Sequence, residues 1–260
     1  MTTTTEPPRS SAPDAPAPSL TTLVGVELRK SRDTRAGFWL LLTIGALALA
    51  VPLLIMFFGE PTEKTLAEYA GAAQLPVALL LPVLGILLVT SEWSQRTALT
   101  TFALVPQRSR VLVAKLAAAA VLAVLGVVAS AVAAALTAGL TPVLTDDPTS
   151  WSIAADQVLQ VLLVQVLNVL IGVAFGLLLL SSPLAIVLYF ALPTAFTVLV
   201  TTVGSLTWVR DWLDLTTTTS PMYLGGLEGQ GWAQVATSAA LWLLVPLVAG
   251  WLRVLRAEIA

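Results

Sequence analysis

The sequence predicts an all-α polytopic membrane protein with six transmembrane helices. Hydrophobic residues make up 57% of the 260 positions and charged residues only 11%, whereas a soluble domain has about 25% charged residues. The mean hydropathy is +0.89, and most charged residues lie between long apolar runs. A run of about 20 apolar residues is long enough for a helix that crosses a hydrocarbon core of roughly 30 Å.

The composition also excludes several kinds of chemistry. The chain contains no cysteine and no histidine, which excludes disulfides, thiol chemistry, the usual zinc sites and the commonest general base. The segment closest to a phosphate-binding loop is GVELRKS at 25–31, where Arg29 stands in place of the glycine that should precede the lysine. We therefore expect no ATP site, no enzymatic activity and no directly bound cofactor.

The N-terminal region divides into a tail and an amphipathic helix. Residues 1–20 are rich in Thr, Pro, Ser and Ala, and such a segment buries too little apolar surface to offset the entropy cost of ordering. We expect a disordered cytoplasmic tail there, followed by one six-span transmembrane domain over 21–260. The first part of this domain, 21–37, predicts a basic amphipathic helix suited to the membrane surface. At helical spacing on it are Leu20, Leu23, Val24, Glu27 and Leu28.

Six apolar runs predict the transmembrane helices. The longest uncharged interval, 157–209, has 53 residues and would be about 80 Å long as one helix. It must therefore cross the bilayer twice, and Ser181-Ser182-Pro183 is the only good break within it. The six predicted spans are about 37–58, 75–91, 116–140, 157–180, 184–203 and 232–252.

The distribution of positive charge predicts the orientation. Eleven of the thirteen Lys and Arg residues lie in the N-terminal region, the 92–115 stretch and the C-terminal tail. The other two, Lys64 and Arg210, lie in the alternate loops, which carry nine of the fifteen acidic residues. The positive-inside rule therefore places both termini and the 92–115 stretch in the cytoplasm, in a multi-pass protein of the cell membrane. The tryptophan-rich loop at 204–231 is expected to lie on or dip into the outer face.

Small and polar residues recur along one face of two predicted spans. On the third span, every fourth residue is small: Gly126, Ser130, Ala134 and Ala138. On the fourth span, one face carries Gln157, Gln165, Asn168, Gly172 and Gly176. Small residues let helix backbones approach closely, and side-chain amides hydrogen-bond between helices. The pattern is compatible with packing inside one subunit, with a subunit interface, and with a translocation path that Gln165 and Asn168 touch.

The stretch 92–115 is the longest charged, amphipathic interval between two apolar runs. Glu92 and Arg96 are i, i+4 partners in the favoured orientation, and Pro106 should stop or kink a helix. An exposed pair of this kind contributes only about 0.3–0.5 kcal/mol, so Glu92→Ala should barely alter folding. The basic residues that follow are Arg108, Arg110 and Lys115. By itself, this pattern is typical of a cytoplasmic loop whose cations contact lipid headgroups.

The same residues resemble the signature that follows the second span in ABC-2 type exporter permeases. That signature has an acidic residue, a Gly-Thr pair, a Pro-x-x-Arg turn and a Gly-Lys pair. The matching residues here are Glu92, Arg96-Thr97, Pro106-Gln107-Arg108-Ser109-Arg110 and Lys115, with Arg96 and Ala114 where glycine is usual. Glu27-Leu28-Arg29-Lys30, before an aromatic-led first span, is similar as well. The resemblance extends over about residues 20–256.

The resemblance implies the membrane permease subunit of an ATP-driven exporter. Two copies, or one copy and a paralogous permease, would pair around a path for a hydrophobic or amphipathic substrate. Separate cytoplasmic ABC ATPase subunits would bind ATP-Mg, and the loop after the second span would form a cytoplasmic coupling helix that contacts them. The residues implied in this contact are Glu92, Arg96, Thr97, Pro106, Arg108, Arg110 and Lys115. The resemblance implies no contact with nucleic acid.

Two other classes of function remain open. One is a secondary transporter or channel that works alone, although the spans lack the charged residues near their midpoints that ion-coupled transport usually needs. The other is a membrane scaffold or assembly factor without transport activity. An exporter permease should co-purify with a soluble ATPase, whereas the other two need not.

Overall fold

The computed structural model describes residues 18–61, 64–95, 97–105 and 107–256. Within them, regular secondary structure is helical apart from an isolated bridge between Thr65 and Ser150. The α-helices are α1 (Leu20–Asp33), α2 (Arg35–Phe58), α3 (Leu66–Ser94), α4 (Ala98–Leu104), α5 (Arg108–Leu144), α6 (Ala155–Leu179), α7 (Ser182–Thr202), α8 (Thr207–Leu213), α9 (Leu215–Thr219), α10 (Gly231–Ala239) and α11 (Val245–Arg256). The chain is thus an all-α protein.

Among the described residues, six helical segments are long and apolar enough to cross a membrane. Five of them are α2, α3, α5, α6 and α7. The sixth, Gly231–Arg256, consists of α10 and α11 joined by a π-helical turn at Ala240–Leu244. The protein is therefore a multi-pass membrane protein, as its composition predicts.

The helix α3 lies at the centre of the bundle. Its most apolar segment is 67% buried, whereas that of α7 is 11% buried. The main core forms where α3 packs between α5 and α6, and it includes Val77, Leu84, Ala119 and Val173. The outer surfaces of α2 and α7 keep many large apolar side chains exposed, which suits contact with lipid tails.

Glycines on α6 set its close approach to α3. A Cβ atom on Gly172 would lie 2.5 Å from the carbonyl oxygen of Pro82, and one on Gly176 would lie 3.2 Å from that of Ile86. On α5, a Cβ atom on Gly126 would meet the side chains of two α3 residues. The small-residue faces found in the sequence therefore pack inside this chain, which is one of the three interpretations that the sequence leaves open.

The connections between the long helices lie at two opposite ends of the bundle. At the first end, which we call the N-terminal face, are α1, α4, the start of α5, the turn at 180–181 and the end of α11. Arg108 at the start of α5 donates a hydrogen bond to the carbonyl oxygen of Val254 at 2.9 Å. Arg253 on α11 donates one to the carbonyl oxygen of Leu178 at the end of α6. These contacts bring the start of α5, the end of α6 and the C-terminal helix α11 to the same end.

At the opposite face, the connection before α3 contacts the connection after α5. The amide of Leu66 donates a hydrogen bond to the carbonyl oxygen of Ser150 at 2.8 Å. The Lys64 ammonium lies 2.5 Å from the Asp147 carboxylate and holds the pKa of that carboxyl below its ordinary value.

The long segment between α7 and α10 is largely helical and folds back onto the bundle. Asp214 caps α9, because its carboxylate accepts hydrogen bonds from the Thr217 amide at 2.9 Å and from Thr197 Oγ1 of α7 at 2.5 Å. The Trp242 indole donates a hydrogen bond to the carbonyl oxygen of Leu213 at 2.9 Å. Side chains of α7 and of the π-helical turn that follows α10 thus hold this segment from both sides.

Two long helices extend beyond the spans that the sequence predicts. The helix of the second span, α3, begins at Leu66 rather than near residue 75. Thr65 caps this helix, because its hydroxyl oxygen accepts a hydrogen bond from the Glu68 amide at 3.2 Å. The helix of the third span, α5, begins at Arg108 rather than near residue 116. Charged residues do not end this helix early because their side chains find partners on neighbouring segments.

Candidate functional site

Four charged side chains from three helices meet near the N-terminal face of the bundle. Glu27 and Lys30 lie on α1, Glu92 lies in the last turn of α3, and Lys115 lies in the third turn of α5. Glu27, Glu92 and Lys115 are only 3%, 6% and 2% exposed. We call these four residues the charge cluster.

Lys115 lies at the centre of the charge cluster. Its Nζ lies 2.7 Å from Glu27 Oε2 and 3.2 Å from Glu92 Oε2. It also donates a hydrogen bond to the carbonyl oxygen of Leu88 at 2.8 Å. A lysine ammonium has three protons, and it here has three acceptors. This pairing is necessary because an unpaired buried charge costs several kcal/mol.

Lys30 connects the same two carboxylates from another side. Its Nζ lies 2.9 Å from Glu27 Oε1 and 2.6 Å from Glu92 Oε1. Each carboxylate thus contacts both ammonium groups, and the formal charges of the cluster sum to zero. Burial disfavours the charged form of Lys30, but the carboxylates of Glu27 and Glu92 outweigh burial and hold the pKa of Lys30 above its ordinary value.

Glu92 also connects the charge cluster to the short helix α4. The hydroxyl of Thr101 on α4 donates a hydrogen bond to Glu92 Oε1 at 3.2 Å. The amide of Thr97, just before α4, donates one to the carbonyl oxygen of Glu92 at 2.9 Å. The side chain of one residue therefore links α1, α3, α4 and α5.

The residues expected to contact a partner lie at different depths. Thr97 is exposed just before α4. Lys115 is buried in the charge cluster, so its side chain does not reach the surface. Arg96 and Pro106 lie outside the described residues, and the Glu92–Arg96 pair stays a prediction.

Arg108 and Arg110 connect the start of α5 to neighbouring segments. Besides its bond to α11, the Arg108 guanidinium lies 5.3 Å from the centre of the Phe102 ring on α4. Arg110 Nη2 donates a hydrogen bond to the carbonyl oxygen of Pro18 at 2.7 Å. The two arginines thus join α5 to α4, to α11 and to the chain just before α1.

The expectation that Glu92 is exposed is wrong. The end of α3 is covered by α1, which turns Glu27 and Lys30 towards Glu92. Sequence reasoning missed these partners and the Thr101 bond. One signal was present, because Glu27 lies among the apolar residues of the amphipathic α1 pattern. A carboxylate on the apolar face of a helix needs a buried cation.

The surface beside the charge cluster is apolar. The side chains of Leu99 and Leu104 on α4 are 50% and 79% exposed. Next to them, a cavity of about 460 Å³ opens between α1, α4 and α5. Its apolar lining includes Leu23, Val26, Leu104, Val105 and Val111. At this end of the bundle, exposed apolar side chains of α4 therefore lie next to the buried ion pairs of the charge cluster.

The polar residues predicted on the fourth span have separate environments. Gln165 is fully buried and accepts a hydrogen bond from Gln74 of α3 at 2.8 Å. Asn168 donates a hydrogen bond to the Tyr223 hydroxyl at 3.1 Å and lines a recess of about 240 Å³ beside α7. Of these two path candidates, Asn168 therefore lines a recess, whereas Gln165 is buried against α3.

The charge cluster is suited to a mechanical role. Its charges are paired with one another, and Lys115 already has three acceptors. In the described part of the chain, no three His, Cys, Asp or Glu side chains are grouped so that they could hold a metal ion. The arrangement therefore serves to hold four helices in fixed relative positions.

Comparison with protein-family models finds no match for this chain, and comparison with curated proteins finds none either.

Proposed function

We propose that this chain is the membrane-spanning permease subunit of an ABC-2 type, ATP-driven exporter. It would move a hydrophobic or amphipathic substrate across the cytoplasmic membrane with energy from separate ATPase subunits. Three observations support this proposal: six helical segments long and apolar enough to span a membrane, a sequence without a phosphate-binding loop, and the permease-like signature at 92–115.

The orientation is part of the same proposal. The segments rich in Lys and Arg meet at the N-terminal face, and the Lys64–Asp147 pair lies at the opposite face. The positive-inside rule favours the cytoplasm for the N-terminal face. Both termini and α4 are then cytoplasmic.

The observation that carries the proposal is the link from α4 to the charge cluster. In our proposal α4 is the coupling helix, and Leu99 and Leu104 contact the ATPase together with Thr97 and its neighbours. Glu92 and Lys115 act behind this contact. They hold α4, α1, α3 and α5 together, so that a movement of the ATPase displaces the helices instead of deforming a loop.

A second permease copy or a paralogue is also part of the proposal. The helix α7 is the least buried of the six spans, and the Asn168 recess lies beside it. An apolar helix surface next to a recess with polar groups is compatible with a path between two permease subunits.

The test is ATPase association in membranes. The adjacent reading frames would be searched for a P-loop ATPase, and the chain would be co-expressed with that candidate and purified in lipid nanodiscs. We expect ATP hydrolysis to co-purify with the wild-type chain and to fall at least tenfold for Leu104→Asp, because a charge is placed in an apolar contact. The control is Val143→Asp, a residue 73% exposed near the end of α5. Association that is unaffected by Leu104→Asp would exclude α4 as the contact.

The alternative functions predict different outcomes. A secondary transporter or channel should transport without any ATPase, and a scaffold should bind partners without transport. Robust ATP hydrolysis by the isolated chain would also contradict the subunit proposal, because the sequence lacks a phosphate-binding loop.

A further inference from the structure

A second cavity lies towards the opposite face, away from the charge cluster. It has a volume of about 370 Å³ and opens between α3, α5 and α6. Pockets for small molecules usually have volumes of about 300–1,000 Å³. The apolar part of its lining includes Ile55, Leu75, Val127, Ile153, Val158 and Val161. An apolar molecular body of modest size therefore fits this space.

The inner end of the cavity is polar but satisfied within the protein. Ser130 donates a hydrogen bond to Gln74 Oε1 at 2.8 Å, and Gln74 donates one to Gln165 Oε1 at 2.8 Å. These neutral groups already bond to one another. They do not require a charged ligand at this end.

One wall of the cavity is a short helical turn, Ser220–Leu224, that is fixed by α6. Gln157 donates a hydrogen bond to the carbonyl oxygen of Tyr223 at 3.2 Å. Asn168 donates one to the Tyr223 hydroxyl at 3.1 Å. The cavity is thus preformed, and the Tyr223 ring adds an aromatic surface to it.

The charged group in the lining is Glu68. It lies in the first turn of α3 and is exposed. The sequence has two basic residues in the loops of this face, Lys64 and Arg210, and each contacts another carboxylate, that of Asp147 and that of Asp211. In the described part of the chain, no basic side chain forms an ion pair with Glu68. A positively charged ligand at Glu68 would therefore compete with no basic side chain of the described residues.

We infer that this cavity binds a lipophilic monovalent cation. The apolar body would fill the cavity, and its positive charge would lie beside Glu68. The opposite face favours this charge because its loops carry nine acidic residues and only two basic ones, which gives it a negative potential. Binding would be a property of this chain alone, and it holds whether or not the chain works with an ATPase.

Glu68 also lies in the first turn of α3, where its side chain can stabilise the start of the helix. It is three residues after the cap Thr65, where Glu or Gln can complete a capping box. Glu68→Gln keeps this capacity and removes only the charge. This substitution therefore separates a ligand-binding charge from a structural role.

The experiment compares two ions of the same shape and opposite charge. Radiolabelled tetraphenylphosphonium and tetraphenylborate would be bound to the purified chain in phosphatidylcholine nanodiscs, without ATPase, and binding to empty nanodiscs would be subtracted. We expect saturable binding of the cation and much weaker binding of the anion. Glu68→Gln should weaken cation binding about two- to fivefold, the range of a partly exposed ion pair.

Three further variants complete the test. Asp146→Asn removes a carboxylate from the same face, outside the cavity lining, and should not change binding. Ala131→Trp should abolish binding because it fills the cavity, whereas Val132→Trp on the adjacent exposed position should not. The inference is overturned if cation binding is not saturable, if the anion binds equally well, or if neither Glu68→Gln nor Ala131→Trp weakens binding.

Discussion

At the scale of single residues, Glu92 shows how its surroundings determine the effect of a substitution. As an exposed partner of Arg96, it would contribute little to stability. The structure instead buries it between Lys30 and Lys115. Removing one partner of a buried ion pair leaves the other charge without compensation, which is strongly destabilising.

We therefore predict that Glu92→Ala lowers the free energy of unfolding by about 3–5 kcal/mol. The double change Glu92→Leu, Lys115→Met should recover a large part of this loss, because it removes both a positive and a negative buried charge. Unfolding in detergent, followed by tryptophan fluorescence, measures both effects.

The matched control for Glu92 is Asp33→Ala, since the Asp33 carboxylate is exposed and lies 3.6 Å from Arg32. We expect a change of at most about 0.5 kcal/mol for this control. If Glu92→Ala is as mild as Asp33→Ala, the charge cluster does not stabilise the fold.

At the scale of elements, the contact between α3 and α6 depends on glycine. The atom that a Cβ on Gly172 would meet is a backbone carbonyl oxygen of α3, and backbone cannot move aside as a flexible side chain can. Small residues at such positions are what allow membrane helices to pack closely. The same contact positions α6, from which Asn168 faces the recess beside α7.

We predict that Gly172→Ala destabilises the protein by about 1–3 kcal/mol through overpacking. Gly45→Ala in α2 is the matched control, because a Cβ atom added there would meet no neighbouring atom within 4 Å. That control should be neutral or stabilise by up to about 1 kcal/mol, since alanine is a better helix former than glycine. Thermal unfolding of the two variants in the same detergent compares them, and equal stabilities would contradict a tight α3–α6 contact.

At the scale of the whole molecule, the two faces of the bundle differ in charge and in contacts. Basic residues that are far apart in the sequence meet at the N-terminal face, whereas the opposite face is mainly acidic. This asymmetry supports the proposed orientation. The two proposed sites differ accordingly, with paired charges at one face and, at the other, a carboxylate that forms no ion pair with a basic side chain of the described residues.

We predict that single cysteines at Asp146 and Glu228 react with an impermeant maleimide on intact cells. Cysteines at Gln95 and Ser109 should react only after the membrane is permeabilised. All four positions are exposed, and the chain has no cysteine of its own, so that background labelling is low. Labelling of residues 95 and 109 from outside, with protection of 146 and 228, would reverse the proposed orientation.

The fold class could be predicted from the sequence because it depends on local composition. Each apolar run is long enough to require a membrane environment, and the break at Ser181-Ser182-Pro183 lies where α6 ends and α7 begins. The ends of the helices were less predictable. The extension of α5 back to Arg108 depends on Val254 and Glu27, which lie far away in the sequence and accept hydrogen bonds from its basic residues.

The sequence by itself determined the apolar spans, the uneven distribution of charge and the lack of a phosphate-binding loop. Only the tertiary structure decided which charges pair. Glu92 and Lys30 are 62 positions apart in the sequence, and Lys115 could in principle pair with any carboxylate that reaches it. The pairing follows from the packing of α1 over the ends of α3 and α5, because a charge removed from water must have a partner within a few ångströms.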